Sequence, residues 1–228
     1  MKSLTTTGII LRRIDYGEAD RIITFLTIDY GRIRVIAKGV RKQKSKLAGG
    51  IELFSISELH FIKGRGDIDT IVSTRLINHY GEIVKDLSRT EMAYSFIKTI
   101  DKTIEDSSGS DYFVVLNESL AALNNSSVPL VVTELSFTMR VIQLQGQLPQ
   151  FSVDNQGNTL DESAQYEFNF EAVSFVAKQE GPFNKNHLKL LRLFAHNPPQ
   201  TMSAVQDIER YSNEVLPLAR NLRGQYLQ

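Results

Sequence analysis

Residues 34–46 contain six basic residues and no acidic one. A run of like charge repels itself, so it is either solvated or set against a polyanion. In a strand the side chains alternate, which places Arg32, Arg34 and Lys38 on one face before the run continues into a loop. A basic strand that leads into a basic loop is suited to tracking a phosphate backbone, with little dependence on base sequence. The run comprises Arg34, Lys38, Arg41, Lys42, Lys44 and Lys46.

Two tyrosines near this run, Tyr16 and Tyr30, stand in predicted turns and are candidates for stacking on nucleic-acid bases. The phenylalanines of the same region fall within predicted strands, where a position in the core is the ordinary one. The aromatic signal is thus weaker than the basic one. Contact with a nucleic-acid backbone is the stronger expectation.

No pattern of catalytic residues stands out in the chain. The four histidines are scattered, without the spacing of a zinc-binding helix, and no nucleophile-elbow pattern is present. The stretch KSKLAGG lacks the glycine that precedes the lysine of a phosphate-binding loop. The absence of cysteine excludes disulfides, thiol catalysis and cysteine-ligated zinc. We therefore predict no catalytic residue, no cofactor and no metal, and a protein that is not an enzyme.

Charge divides the chain in two. Residues 1–80 hold 14 Lys and Arg against 8 Asp and Glu, whereas residues 81–228 hold 12 against 18. This asymmetry favours a polyanion as the partner of the N-terminal part. No signal-peptide segment and no apolar run of about 20 residues is present, so a cytoplasmic protein without a membrane span is expected.

The first 80 residues show the alternation of apolar and polar residues that is typical of strands. Five short strands are predicted, separated by turns that contain Gly and Asp, such as KGRG. Closing so small a sheet into a barrel removes the exposed edges that it would otherwise have to protect. An OB-type barrel of five strands is therefore expected over residues 1–80.

From about residue 82 the apolar residues recur at helical spacing, which predicts a helical domain over residues 81–228. Residues 146–183 are polar and rich in turns, and a small irregular insert is expected there. The fold class is thus α+β, with the strands first and the helices after. The last helix is expected to end before Pro217. Helices are predicted over residues 88–105, 111–123, 129–146, 184–196 and 203–216.

Residues 8–54 resemble the N-terminal region of the RecO family of bacterial recombination mediators. The features that carry the resemblance are a strand that ends in arginine (GIILRRI), the turn DYGEADR, a Gly-Arg turn, and the stretch AKGVRKQKSKL. Beyond residue 54 the resemblance is one of plan, a barrel followed by a helical domain.

The resemblance implies a non-enzymatic DNA-repair protein that binds single- and double-stranded DNA and anneals complementary strands. Such proteins work with RecR and with the acidic C-terminal tail of single-stranded-DNA-binding protein to load RecA. Carried over to this sequence, the DNA-facing positions are the six residues of the basic run, with Arg12 and Arg13 as weaker candidates. Many family members carry a four-cysteine zinc module after the central helix. This chain has no cysteine there, so packing alone is expected to hold the insert.

A tail that is acidic and ends in apolar residues needs an apolar pocket flanked by positive charge. The stretch NKNHLKLLRLF places Lys185, Lys189 and Arg192 on one helical face, with Leu188 at its border. We predict that these four residues form the partner site. An ordinary solvated face over a core stripe is the alternative interpretation.

Two other classes of function stay open at the level of the sequence. Charge alone allows an RNA-binding OB module of a translation or RNA-processing factor equally well. An adaptor whose helical domain carries the function is a third interpretation. Annealing of DNA strands distinguishes the recombination mediator from both, and a preference for RNA over DNA favours the second.

Overall fold

The computed structural model divides the chain into two structural units, Met1–Asn125 and Ser126–Gln228. The first two helices therefore group with the N-terminal strands. The predicted domains, 1–80 and 81–228, follow a different division and stay a prediction. The residues that the structure describes are 3–45, 47–104 and 109–227.

A closed barrel of five strands forms the start of the first unit. The strands are β1 (Ser3–Tyr16), β2 (Asp20–Thr27), β3 (Gly31–Ala37), β4 (Ser55–Ile62) and β5 (Asp69–His79). Their order around the barrel is β1-β2-β3-β5-β4, and the ring closes where β4 pairs with β1. The contact between β3 and β5 is parallel, and the others are antiparallel. This is the five-stranded barrel that the alternating pattern predicts.

The barrel interior is filled by aliphatic residues and by the fully buried Phe25 and Phe61. Gly8 on β1 pairs with Thr27 of β2 on one side and with Ser57 of β4 on the other. A Cβ atom at Gly8 would lie 2.7 Å from the side chain of Leu59 and 3.2 Å from that of Phe25. Glycine is needed here because the neighbouring side chains leave no room for another.

Two helices follow the barrel in the first unit, α1 (Leu87–Thr103) and α2 (Ser110–Leu123). The carboxylate of Asp86 caps α1 by accepting a hydrogen bond from the backbone N–H of Arg89. The guanidinium of Arg89 in turn donates to the carbonyl of Leu123, at the end of α2, at 2.9 Å. This bond satisfies a terminal carbonyl that has no partner within its own helix.

The described residues of the second unit form four α-helices. They are α3 (Leu130–Leu144), α4 (Lys185–His196), α5 (Pro199–Met202) and α6 (Ile208–Tyr226). Helix α3 is buried over nearly its whole circumference, as its apolar sequence predicts, and it packs against α4, α5 and α6. The carboxylate of Glu134 on α3 accepts two hydrogen bonds from Arg220 on α6, each 2.8 Å long.

The predicted end of the last helix before Pro217 is wrong. Helix α6 continues through Pro217 to Tyr226. A proline inside a helix removes one backbone hydrogen bond and costs about 3 kcal/mol. The buried side chains of Leu218, Ala219 and Leu222 continue the apolar face beyond the proline, and their burial offsets this cost.

The stretch YEFNFEAVSFVA of the insert, whose sequence predicts a strand or an extended flap, forms two strands of a small sheet. Strands β6 (Gln165–Asn169), β7 (Ser174–Ala177) and β8 (Phe183–Asn184) form a small sheet in the order β7-β6-β8. Phenylalanine rings gather around the buried Phe175, whose ring centroid lies 5.0 Å from that of Phe168 and 5.7 Å from that of Phe151. Aromatic packing therefore contributes to holding this segment.

The predicted fold class is confirmed, an OB-type barrel followed by helices in an α+β fold. Within the described part of the chain, every helix is too short or too polar to span a lipid bilayer.

Candidate nucleic-acid interface

A basic row crosses the outer face of three neighbouring strands. Arg12 on β1 lies opposite Thr24 on β2, which lies opposite Arg34 on β3. Side chains that are paired directly across strands point to the same face of the sheet. An irregularity of β1 between Ile10 and Arg12 makes this register possible, because it turns Arg12 outward although Ile10 faces the core.

The row lies within a groove of about 740 Å³ on the outside of the barrel. Ile14 and Ile22, a directly opposed pair of β1 and β2, contribute apolar surface next to the arginines. We call this surface the barrel groove. It is lined by Arg12, Ile14, Ile22, Thr24, Tyr30, Arg32, Ile33, Arg34, Lys63, Asp67, Asp69 and Asp101.

The four cations of the barrel groove differ in how they are engaged. Arg32 donates to the backbone carbonyl of Asp101 at 3.1 Å. The ammonium of Lys63 lies 3.3 Å from the carboxylate of Asp69, a buried side chain that also accepts from the backbone N–H of Gly64. Among residues 3–45, 47–104 and 109–227, the side chains of Arg12 and Arg34 have no ion-pair or hydrogen-bond partner. These two guanidiniums are therefore available to a ligand.

The basic loop begins where β3 ends. Gly39 adopts a φ of +66°, a conformation that favours glycine, and its N–H donates to the carboxylate of Asp20 at 2.7 Å. The turn holds four cations at the surface, and all four are exposed: Lys38, Arg41, Lys42 and Lys44. The sixth member of the predicted run, Lys46, lies outside the described residues.

The carboxylate of Asp15 lies beside a cation of the basic loop. Asp15 accepts a hydrogen bond from Arg21 at 2.8 Å, and the guanidinium of Arg41 lies 3.6 Å from its other oxygen. The hydrogen bond from Arg21, with the charges of Arg21, Arg41 and Arg13 nearby, holds the pKa of Asp15 below its usual value. Arg41 is thus partly neutralised, whereas Lys38, Lys42 and Lys44 have no such partner in the described part of the chain.

Arg12 and Arg13, the two weaker candidates for DNA contact, lie in different surroundings. Arg12 lies in the barrel groove, whereas Arg13 points away from it and donates to the carbonyl of Ile51 at 3.3 Å. Sequence reasoning missed Lys63 as a groove residue. Its place there depends on barrel closure, which brings the turn after β4 beside β1 and β3, and no local pattern carries that information.

The predicted partner site on α4 is only partly at the surface. Lys189 and Arg192 are exposed, and Arg192 donates to the hydroxyl of Ser152 at 3.0 Å. Lys185 lies 3.1 Å from the carboxylate of Glu162. Leu188 is fully buried, so the apolar residue of α4 that reaches the surface beside these cations is Leu193. The partner site stays a prediction.

No group of three or more histidine or acidic side chains within the described residues is arranged to hold a metal ion. His187 is instead engaged in the fold. Its Nδ1 accepts from the backbone N–H of Asn184 at 3.1 Å, so its Nε2 carries the proton that is donated to Glu214 at 2.7 Å.

A closed five-stranded barrel with this strand order is an OB-type fold, a class of barrel that commonly binds oligonucleotides on its outer face. Residues 1–80 match the family model described as recombination protein O N terminal. The resemblance to the RecO family is thereby confirmed for the N-terminal region.

Relatives named DNA repair protein RecO extend this similarity. The chain is 37% identical to that of Bifidobacterium longum subsp. infantis over 146 residues, which cover 63% of this chain and 61% of the relative. It is 27% identical to that of Halalkalibacterium halodurans over 206 residues, which cover 87% of this chain and 80% of the relative. For that of Trichodesmium erythraeum, 38% identity extends over 120 residues, 52% of this chain and 41% of the relative. Two of these three matches thus span less than two thirds of the relative.

Proposed function

We propose that this protein acts in DNA repair and recombination by binding single- and double-stranded DNA without strong sequence preference. The observation that carries the proposal is the pair of guanidiniums of Arg12 and Arg34, which have no protein partner within the described residues and stand in a concave surface. The exposed cations of the basic loop continue the positive surface from the end of β3. Cations in this arrangement contact phosphates, and such contacts carry no sequence information directly.

The finer steps rest on the likeness to relatives named DNA repair protein RecO. In the proposed role the protein is not an enzyme. It anneals complementary strands and, together with RecR, assists the loading of RecA on strands coated by single-stranded-DNA-binding protein, whose acidic tail docks on the second unit. The proposed site of action is the cytoplasm.

Salt-dependent binding to single-stranded DNA tests the proposal. Each phosphate contact contributes a slope of about −0.7 to the plot of log K against log[salt]. Replacing Arg12 and Arg34 by alanine should therefore flatten the slope by about 1.4, and replacing Arg41, Lys42, Lys44 and Lys46 should flatten it by roughly 2 to 3. Because the contacts are to phosphates, the loss should be similar for oligonucleotides of different sequence.

The matched control removes two cations from α4 by the pair Lys189→Ala and Arg192→Ala. It changes net charge as much as the groove pair does, so a general charge effect would flatten both slopes equally. An unchanged slope in the folded groove variant contradicts the proposal. An annealing assay with complementary DNA and RNA strands completes the test, and a clear preference for RNA would favour an RNA-binding module instead.

A further inference from the structure

Tyr30 is the aromatic residue of the barrel groove, and its ring is held in place by the core. The ring packs edge-to-face against the fully buried Phe61, with 5.9 Å between the centroids and an angle of 83° between the planes. The backbone N–H of Tyr30 donates to the hydroxyl of Thr27 at 3.1 Å. The residue is nevertheless 39% exposed. The ring is thus oriented before any ligand arrives.

The hydroxyl of Tyr30 does not serve the fold. In the described part of the chain it has no hydrogen-bond partner. Tyr16, the other tyrosine that stands near the basic residues, is 55% exposed and is not part of the groove lining. The structure therefore separates two residues that look equivalent in the sequence.

Charge along the barrel groove is not uniform. Arg12 and Arg34 form its basic row, while Asp67, Asp69 and Asp101 contribute carboxylates to the same lining. Lys63 is paired with Asp69, and Arg32 is held at the side of Asp101 by its hydrogen bond to the carbonyl of that residue. A phosphate is attracted to the arginine row and repelled by the carboxylates. An uncharged base ring can occupy the remaining surface, where Tyr30, Ile14 and Ile22 offer apolar contact.

We propose that the barrel groove holds unpaired nucleobases, with one base stacked on Tyr30 while Arg12 and Arg34 contact the neighbouring phosphates. This inference rests on the proposed function and adds the subsite that distinguishes single strands. A base within a duplex is already stacked on its neighbours and cannot lie on the ring without being unstacked. The subsite therefore favours single-stranded over double-stranded DNA, which phosphate contacts alone do not do.

The test compares two probes of equal length, an oligothymidine and an abasic strand with the same phosphates but no bases. Tyr30→Leu keeps an apolar side chain against Phe61 but removes the aromatic face. Stacking of one base is worth enough to predict a loss of about 5- to 150-fold in affinity for oligothymidine, and affinity for the abasic strand should be unchanged. Tyr30→Phe, which keeps the ring, should bind both probes like the wild type.

Tyr16→Leu is the matched control, and it should leave both affinities at the wild-type level. Equal losses for the two probes in Tyr30→Leu, or no loss for either, would overturn the subsite while leaving DNA binding by the protein intact. Failure of the wild type to bind either probe would overturn the proposed function together with the subsite. Retained binding of the abasic strand by Tyr30→Leu also shows that the variant is folded.

Discussion

The barrel groove and the cationic face of α4 (Lys185, Lys189 and Arg192) are two basic surfaces of similar local composition that the fold treats differently. In the groove, Arg12 and Arg34 have no partner among the described residues and stand in a concavity beside apolar side chains. On α4, Lys185 is paired with Glu162, Arg192 is bonded to Ser152, and the adjoining Leu188 is buried. Local sequence does not distinguish cations that stand without a protein partner in a concavity from cations on a helix face that neighbouring residues engage.

This difference predicts that the concave shape of a basic surface affects its binding of an anion as much as its charge does. A cation on a convex helix face is surrounded by water and contributes little to the binding of an anion. In a groove, the low-dielectric walls strengthen the same charge, and neighbouring cations act on one ligand. Substitutions in both units, each compared with a control, test this contrast.

The largest effect is expected at Leu188, because its side chain is fully buried in the second unit. Leu188→Ala should lower the free energy of unfolding by about 2–5 kcal/mol, since it removes buried methyl groups and leaves a cavity. Urea denaturation measures the change. Leu193→Ala, at an exposed position of the same helix, should stay within about 0.5 kcal/mol of the wild type.

A stability loss below about 1 kcal/mol for Leu188→Ala would mean that the residue is not part of a packed core. The charges of the face are then tested separately by Lys189→Glu together with Arg192→Glu. If α4 is the docking face, this pair should abolish binding of an acidic tail peptide in fluorescence anisotropy and leave direct binding to single-stranded DNA nearly intact. Equal peptide affinity in the wild type and the variant would exclude this helix.

An intermediate effect on stability is expected for Arg220, whose guanidinium bonds twice to the mostly buried Glu134. Arg220→Ala should cost about 1–3 kcal/mol, because it leaves a buried carboxylate without these hydrogen bonds. Arg34→Ala, which removes an unpartnered arginine, should stay within about 0.5 kcal/mol in the same denaturation experiment. It should instead weaken DNA binding. If Arg34→Ala lowered the free energy of unfolding as much as Arg220→Ala, the contrast between an unpartnered and a bonded arginine would be contradicted.

The smallest effect is expected at Asp15, which lies beside Arg41 at the edge of the basic loop. Asp15→Asn should raise the affinity for single-stranded DNA by about 1.5- to 5-fold, because an exposed ion pair engages Arg41 only weakly. The folded-state pKa of Asp15 is lowered, so its charge is present at neutral pH and is lost only as the pH falls through that lowered pKa. The difference between the variant and the wild type should therefore shrink in binding assays at acidic pH.

The barrel is the part of the fold that the sequence predicts best, because short alternating strands separated by glycine turns determine it locally. The continuation of α6 through Pro217 could not be predicted in the same way. From local sequence a helix is expected to end at a proline. Here the burial of Leu218 and Leu222 within the second unit stabilises the helix beyond Pro217. The stretch YEFNFEAVSFVA predicts a strand or an extended flap, but its division into β6 and β7 and their pairing in a sheet could not be predicted, because the strands are only two to five residues long.

The residues of the candidate site likewise fall into those that local pattern predicts and those that depend on tertiary structure. Strand alternation is enough to place Arg32 and Arg34 on one face of β3. The inclusion of Arg12 depends on the irregularity of β1, and that of Lys63 depends on barrel closure, so neither follows from residue spacing. Leu188 shows the reverse case, since its helical position was predicted correctly but its burial follows from the packing of the second unit and not from its place on the helix.

The irregularity at Leu11 also determines how the barrel groove can vary. Up to Ile9, β1 pairs with β4 and helps to close the barrel, whereas from Arg12 to Tyr16 it pairs with β2 alone. The wall formed by Arg12 and Ile14 therefore lies beyond the seam of the barrel. Insertions or deletions near the tip of the β1–β2 hairpin, around Gly17, would lengthen or shorten this wall without changing the closed ring. The length of the hairpin is thus a feature that evolution or a designer can adjust to change the depth of the groove at little cost to folding.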